Sequence, residues 1–119
     1  MTQEEKELLI KDLCARLPYG VKMSVNDSVE VLQGINIVDN IVEYSSFLAS
    51  EIEDCKPYLF PLSSMTEEQE KEYNNLNCYE LGCFPHSEEA LDYLTKNHFD
   101  YRYLIEKGLA IDATGLGIY

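Results

Sequence analysis

The stretch VKMSVNDSVEVLQGINIVDNIVEY, residues 21–44, decides the fold because its apolar side chains recur at every second position. Such alternation is typical of β-strands that bury one face. The alternating runs that predict strands are 21–25, 29–31, 35–37 and 41–44. This period of two separates the stretch from the chain before it, where the apolar spacing is helical.

Short turn signals join these runs. Asn26-Asp27 is a turn signal, and Asp39-Asn40 suits a two-residue hairpin turn because both residues tolerate positive φ. Gly34 interrupts the second run and indicates a bulge or a tight turn. Connections this short force neighbouring strands to be antiparallel. The stretch therefore predicts an antiparallel meander of three or four strands.

A helix is predicted before the strands. Thr2 and Glu5 have the spacing of a capping box, in which each side chain bonds the backbone of the other. An apolar stripe at helical spacing follows, and Pro18 ends the helix near Leu17.

A second helix is predicted from Thr66 to about Leu76, with a capping box formed by Ser64 and Glu67 or by Thr66 and Gln69. Between the meander and this helix, residues 45–65 are harder to interpret. The first part, around Phe47, suits a short edge strand or one helical turn. Residues 56–61 contain two prolines and large apolar side chains, which predicts an extended segment packed on the domain.

Two further helices are predicted near the end of the chain. Ser87 is placed to cap the third helix and Asp100 a short fourth one, with Phe99 and Leu104 as a hydrophobic staple. Gly108 is placed as the left-handed residue that ends the fourth helix. The expected fold is α+β: an N-terminal helix, an antiparallel meander of three to four strands and two to three C-terminal helices. We expect one domain, residues 1–119, with a partly mobile tail over 110–119.

The charge of the chain restricts its partners. Its net charge is −13, and Lys56 is the only positive residue between Met23 and Glu70. Nucleic acids and anionic membranes are therefore not expected partners, because binding them requires clustered Lys and Arg. An unknown and possibly basic protein partner is expected. The first residues lack a signal-peptide pattern and no apolar run is long enough to span a membrane, which predicts a cytoplasmic protein.

Cys78, Cys83, His86 and His98 are the strongest chemical pattern, because two thiolates and two imidazoles suit tetrahedral zinc. However, eleven residues separate the two histidines, which is not the usual finger spacing. We therefore expect no metal and no cofactor. A Cys83–His86 nucleophile lacks an orienting third group, and the paired carboxylates of the chain suit solvated helix faces. No catalytic residue is predicted.

The remaining candidate site is the aromatic segment Tyr101, Arg102 and Tyr103. Tyrosine and arginine are favoured both at interface hot spots and in half-buried seams between a helix and a sheet. On a short helix after Asp100, Arg102 and Tyr103 would point away from the apolar face. They therefore form a possible interaction surface, unless Arg102 pairs with one of the many acids of its own chain.

Several blocks of the sequence resemble a family of small uncharacterised proteins of gut anaerobic bacteria and of their phages and mobile elements. The blocks are KDLCARLPYGVK (11–22), IEDCKPYL (52–59), PLSSMTEE (61–68), HFDYR (98–102) and LIEKGLA (104–110). The resemblance implies a bacterial or phage-related cytoplasmic setting and brings no activity, cofactor or catalytic residue. The family usually has glycine after the Tyr-Arg pair, where this chain has Tyr103.

Three functions remain open from the sequence. The first is a non-enzymatic protein-interaction or regulatory protein of a bacterial mobile element. The second is an acidic DNA mimic that inhibits a nucleic-acid-binding protein, and the third is a small enzyme. An interaction protein should have an exposed aromatic patch, and a DNA mimic should have rows of carboxylates on one face. An enzyme should have a concave pocket with converging polar groups. The oligomeric state is left open.

Overall fold

The computed structural model describes residues 1–76 and 88–119. It begins with helix α1, Gln3–Arg16, and the predicted capping box is confirmed. The Thr2 N–H donates to Glu5 Oε1 at 2.9 Å, and the Glu5 N–H donates to Thr2 Oγ1 at 3.1 Å. A 3-10 turn, Leu17–Tyr19, follows, with Pro18 in its first turn. The helix therefore ends where proline was expected to end it.

Within residues 1–76 and 88–119, seven strands form one mostly antiparallel sheet. In chain order they are β1 Lys22–Val25, β2 Ser28–Asn36, β3 Ile41–Tyr44, β4 Ala49–Glu51, β5 Cys55–Pro61, β6 Phe99–Asp100 and β7 Ile111–Asp112. The strand order is β4-β3-β2-β1-β5-β6, and β7 also pairs with β5. Strands β1 to β4 form the predicted meander, and β5 returns antiparallel to β1. Both β6 and β7 are parallel to β5.

The hairpin turns agree with the sequence in one case and differ in the other. Asn26 and Asp27 both have positive φ, and β1 and β2 pair directly on either side of them. The predicted two-residue turn at Asp39-Asn40 is wrong. Asn36 pairs with Ile41, so the connection has four residues. The Asn36 amide binds both the side chain and the N–H of Asp39, which stabilises the longer loop.

The predicted second and third runs form one strand, β2, instead of two. The register of β2 against β3 shifts between Leu32 and Gly34, which confirms the bulge alternative at the glycine. A bulge bends a strand without ending it, so the pairing continues to Asn36.

Residues 45–65 contain the extended segment that the two prolines predicted. It is strand β5, and Pro57 lies opposite Met23 of β1. For Phe47, Leu48 and Ile52 the alternatives were a short edge strand or one helical turn. An edge strand, β4, does end the strand order, but it covers Ala49–Glu51, so Phe47 and Leu48 precede it and Ile52 begins a 3-10 turn. A 3-10 turn, Ile52–Asp54, joins β4 to β5.

The hydrophobic core lies where α1, the sheet and the turns after β6 meet. Its buried members include Leu9 and Leu13 of α1, Met23 of β1, Leu59 of β5 and Leu104. Burial of such side chains is worth roughly 1.5–3 kcal/mol each. The core therefore fixes α1 and the later turns to the sheet.

Two helices follow the 3-10 turn Leu62–Ser64: α2, Glu67–Leu76, and α3, Glu88–Lys96. The Thr66–Gln69 capping box is the one that forms, with bonds of 2.9 and 3.2 Å. Ser87, the predicted cap of α3, lies outside the described residues. None of the described helices has both the length and the apolar composition needed to cross a membrane.

The predicted fourth helix is wrong: turns follow β6 instead. Asp100 binds the N–H groups of Leu104 and Ile105, both at 2.9 Å, so its capping bonds stabilise a turn. Tyr103 has φ +58°, which prevents a continuous right-handed helix. Gly108 has the predicted left-handed conformation, and the bonds from Gly108 to Ile105 and from Leu109 to Leu104 form a Schellman pattern.

Candidate functional site

The residues of the predicted interaction segment, Tyr101 to Tyr103, have different environments in the structure. Arg102 is mostly buried, and its Nη1 lies 3.5 Å from Asp12 Oδ1. The same nitrogen donates to the Tyr101 hydroxyl at 3.2 Å, and the guanidinium lies 4.7 Å from the centre of that ring. Tyr103, in contrast, is 54% exposed. Arg102 therefore has partners within its own chain, as the seam interpretation expected, while Tyr103 is open, as the interface interpretation expected.

Arg102 reaches a buried ion pair that sequence reasoning missed. Asp12 and Arg16 of α1 are both fully buried. Arg16 donates to the two Asp12 carboxylate oxygens at 2.8 and 3.2 Å and to the Phe99 carbonyl oxygen at 2.7 Å. The sequence signal for this pair was its spacing, because an acid and a base four residues apart lie on the same side of a helix. Asp12 and Arg16 also lie close in sequence to Leu9 and Leu13 of the apolar stripe. The pair attaches α1 to β6.

A second exposed aromatic side chain lies in the turn between β3 and β4. Phe47 is 95% exposed and has φ +70°. Its N–H donates to the Tyr44 carbonyl, and the Tyr44 N–H donates to the Leu48 carbonyl, both at 3.0 Å. These bonds hold Phe47 in the left-handed position of a three-residue hairpin loop, where glycine is usual. A bulky side chain in this conformation is a genuine outlier.

Strand β4 beside this turn is an edge strand. Two hydrogen bonds show which backbone groups face β3: the Ile52 N–H donates to the Asn40 carbonyl, and the Leu48 carbonyl accepts from the Tyr44 N–H. By alternation along the strand, the N–H and C=O groups of Ala49 and Glu51 face away from β3. Among the described residues no strand pairs with that side, so an extended peptide has access to it.

Acidic side chains surround this edge. They are Asp39, Glu43, Glu51, Glu53 and Asp54, all of them exposed. The Lys6 ammonium binds Glu53 and lowers the pKa of that carboxyl. Shallow cavities of about 450, 200 and 310 Å³ lie along the same edge, and each contains at least one of these acids. We call Phe47, Leu48, β4 and these five acids the β4 edge surface.

A cavity of about 410 Å³, the tail pocket, lies between the end of β5, helices α2 and α3 and the C-terminal residues. Its walls include the rings of Phe60, Phe99, His98 and Tyr119. The His98 and Tyr119 rings are stacked, with centroids 3.9 Å apart and planes at 12°. Lys96, at the end of α3, also lines the pocket.

Hydrogen bonds position Tyr119 at the tail pocket. Its hydroxyl accepts from the Lys22 N–H and donates to the Tyr58 carbonyl, both at 2.8 Å. Burial of that hydroxyl raises the pKa of Tyr119 to about 12. Burial also lowers the pKa of His98 to about 4, and the positive charges of Arg16 and Lys22 act in the same direction. The imidazole is therefore neutral at neutral pH.

Three of the four zinc-type residues, Cys78, Cys83 and His86, lie outside the described residues. Within 1–76 and 88–119, no three His, Cys, Asp or Glu side chains are grouped in a way that would hold a metal ion. Cys55 is buried and donates to the Ile52 carbonyl. Burial raises the pKa of its thiol, which disfavours the nucleophilic thiolate.

No protein-family model matches the chain, and no curated protein or solved structure matches it significantly. The structure itself shows three features beyond the predicted segment: the Asp12–Arg16 pair, the β4 edge surface and the tail pocket. Phe47 had no sequence signal stronger than an apolar residue in a polar turn. The tail pocket had none, because its walls come from five separate parts of the chain.

Proposed function

We propose that this chain is a non-enzymatic protein-interaction module that binds a basic, extended segment of a partner protein at the β4 edge surface. In keeping with the family resemblance, the proposed setting is the cytoplasm of a bacterium that carries a phage or mobile element. Strand addition to an exposed sheet edge is a common mode of peptide recognition, in which main-chain bonds give affinity and side-chain contacts give specificity.

The observation that carries the proposal is Phe47. Its left-handed backbone costs roughly 1–2 kcal/mol for a residue other than glycine, and its ring is almost fully exposed to water. Neither cost is repaid by contacts within the chain. Strained residues of this kind cluster at binding sites, and exposed aromatic rings are typical anchors of interfaces. Tyr103 has the same combination of positive φ and exposure.

Charge supports the nature of the partner. The five acids of the β4 edge surface belong to the part of the sequence between Met23 and Glu70, in which Lys56 is the only positive residue. A basic segment would find complementary charges there, which favours its association and disfavours acidic competitors. The outward N–H and C=O groups of Ala49 and the N–H of Glu51 would supply main-chain hydrogen bonds, while the Glu51 carbonyl already accepts from the Ser50 hydroxyl at 3.2 Å.

The test is a selection of random twelve-residue peptides displayed against the full chain. We expect the enriched peptides to combine Lys or Arg with one large apolar residue and to shift the amide NMR signals of Ala49 and Glu51. The variant Phe47→Asn should weaken binding at least tenfold while raising the free energy of unfolding by about 1 kcal/mol, since asparagine adopts positive φ more easily. Val38→Thr, at the exposed tip of the β2–β3 hairpin, is the matched control and should bind normally.

Two outcomes would contradict the proposal. One is a set of enriched peptides without basic residues. The other is binding that Phe47→Asn leaves unchanged. A DNA mimic would depend on its carboxylates alone, so this second outcome would favour the alternative function.

A further inference from the structure

The tail pocket is enclosed by aromatic rings on one side. Phe60 of β5 lies opposite Phe99 of β6 in register, and their ring centroids are 6.3 Å apart. The Tyr119 ring lies 5.7 Å from Phe60 and is tilted by 50°. A volume of about 410 Å³ is within the usual range of small-molecule sites. These rings favour a flat apolar group, because tilted and offset arrangements are the stable contacts between aromatic rings.

The charge at the tail pocket is opposite to that of the protein. The described residues of its lining include Lys96 and no carboxylate, although the chain has 22 acids and a net charge of −13. The four other cavities compared on the described surface each contain at least one carboxylate. Among the residues that the structure describes, none forms an ion pair with Lys96. An anion therefore finds an available cation here, and none of the described lining residues is a carboxylate that would repel it.

His98 forms part of the wall of the tail pocket. The Nδ1 atom of His98 is buried and has no hydrogen-bond partner within the described part of the chain. This nitrogen has almost no exposed surface, so a molecule in the tail pocket would contact the imidazole ring and not Nδ1. His98 also has φ +63°, so its ring is presented by a left-handed residue between α3 and β6.

We propose that the tail pocket binds a small aromatic anion, meaning a planar ring that carries a carboxylate or a phosphate. The ring packs against Phe60 and Tyr119, and the anionic group lies at Lys96. This site is separate from the β4 edge surface, because the two share no lining residue. It gives the protein a ligand-binding function in addition to partner recognition.

The test uses the full chain labelled with ¹⁵N and three pairs of compounds: benzoate with benzamide, indole-3-acetate with indole-3-acetamide, and AMP with adenosine. We expect at least one anion to bind saturably, more tightly than its neutral partner, and to shift the amide signals of Asn97, Thr114 and Gly115. The comparison of the carboxylates with AMP distinguishes the two sources of anionic charge.

Lys96→Gln should weaken binding of that anion by about two- to fivefold, the effect of one exposed ion pair, and leave its neutral partner unchanged. Lys11→Gln, the same change on the exposed side of α1, is the matched control. His98→Asn keeps a residue that tolerates positive φ and should weaken the anion and its neutral partner alike.

Three results would overturn the proposal. They are equal affinity for each anion and its neutral partner, saturable binding with shifts away from the tail pocket, and no saturable binding of any anion at millimolar concentration. The amide spectrum of each variant shows whether it is folded, so a loss of binding is separable from a loss of structure.

Discussion

Replacing Arg16 with methionine should destabilise the protein far more than replacing Arg16 and Asp12 together. In the single variant Arg16→Met, the fully buried Asp12 carboxylate loses its bonds of 2.8 and 3.2 Å. Only Arg102 Nη1, at 3.5 Å, remains near it. The Phe99 carbonyl also loses its charged donor. An uncompensated buried charge is the expensive consequence, because removing one member of a buried pair costs about 3–5 kcal/mol.

The magnitudes follow from what each change leaves behind. Arg16→Met should cost about 3 kcal/mol, at the low end, since Arg102 partly compensates the carboxylate. Asp12→Leu should cost about 4–5 kcal/mol, because the Arg16 guanidinium loses its carboxylate and keeps the Phe99 carbonyl and the Tyr101 ring, whose centre is 5.4 Å away. The double variant leaves no fully buried charge. The Phe99 carbonyl loses its donor, and the mostly buried Arg102 loses its carboxylate partner. The double variant should lose only about 1–3 kcal/mol.

The assay is urea unfolding followed by far-UV circular dichroism, with thermal unfolding as a second measurement. For a chain of this length, 1 kcal/mol corresponds to about 3–5 °C in Tm. The matched control is Glu7→Leu with Lys11→Met, an acid and a base at the same spacing on the exposed side of α1. It should change stability by about 0.5 kcal/mol or less. A double variant that loses the full sum of the two single losses would refute the coupled buried pair.

Three further predictions concern residues with positive φ. Gly108→Ala should destabilise the protein by about 1 kcal/mol, because alanine resists the left-handed conformation. An added Cβ would meet no atom within 4 Å, so the cost is conformational and not steric. A neutral result in calorimetry would contradict it. Tyr103→Gly should leave the free energy of unfolding unchanged or raise it by up to about 1 kcal/mol, and a larger loss in urea unfolding would show that the ring stabilises the turn. Because the folded pKa of His98 is lowered to about 4, the unfolded state binds more protons below about pH 6.5. Stability should therefore fall as the pH falls from 6.5 towards 4, by at most about 1.4 kcal/mol per pH unit, and a Tm–pH profile identical to that of His98→Asn would contradict this.

The starts of α1 and α2 and the first hairpin turn were predictable because each depends on residues only a few positions apart. Thr2 with Glu5 and Thr66 with Gln69 form their capping boxes as expected. Gly108 has its left-handed conformation for the same reason. The fourth helix failed although its local signals were present. Phe99 and Asp100 pair with β5, and this pairing, 39 residues away in sequence, takes the place of the helix start.

The candidate sites were less predictable than the fold. Tyr103 was named in advance as a surface residue and is exposed, but Arg102 binds Asp12 of α1, which no local pattern shows. Phe47 became a candidate only when its backbone conformation and exposure were known.

The sequence by itself determined the class of the fold, because periods of two and of 3.6 and the turn residues act over a few positions. It also determined the acidity of the β4 edge surface. Only the tertiary structure decided that β5 lies between β1 and β6 and that Arg16 meets the Phe99 carbonyl, 83 residues away in sequence. It also brought Phe60, Lys96, His98 and Tyr119 to one pocket. Such contacts depend on which distant surfaces bury each other best, and burial is a property of the packed chain that no short segment encodes.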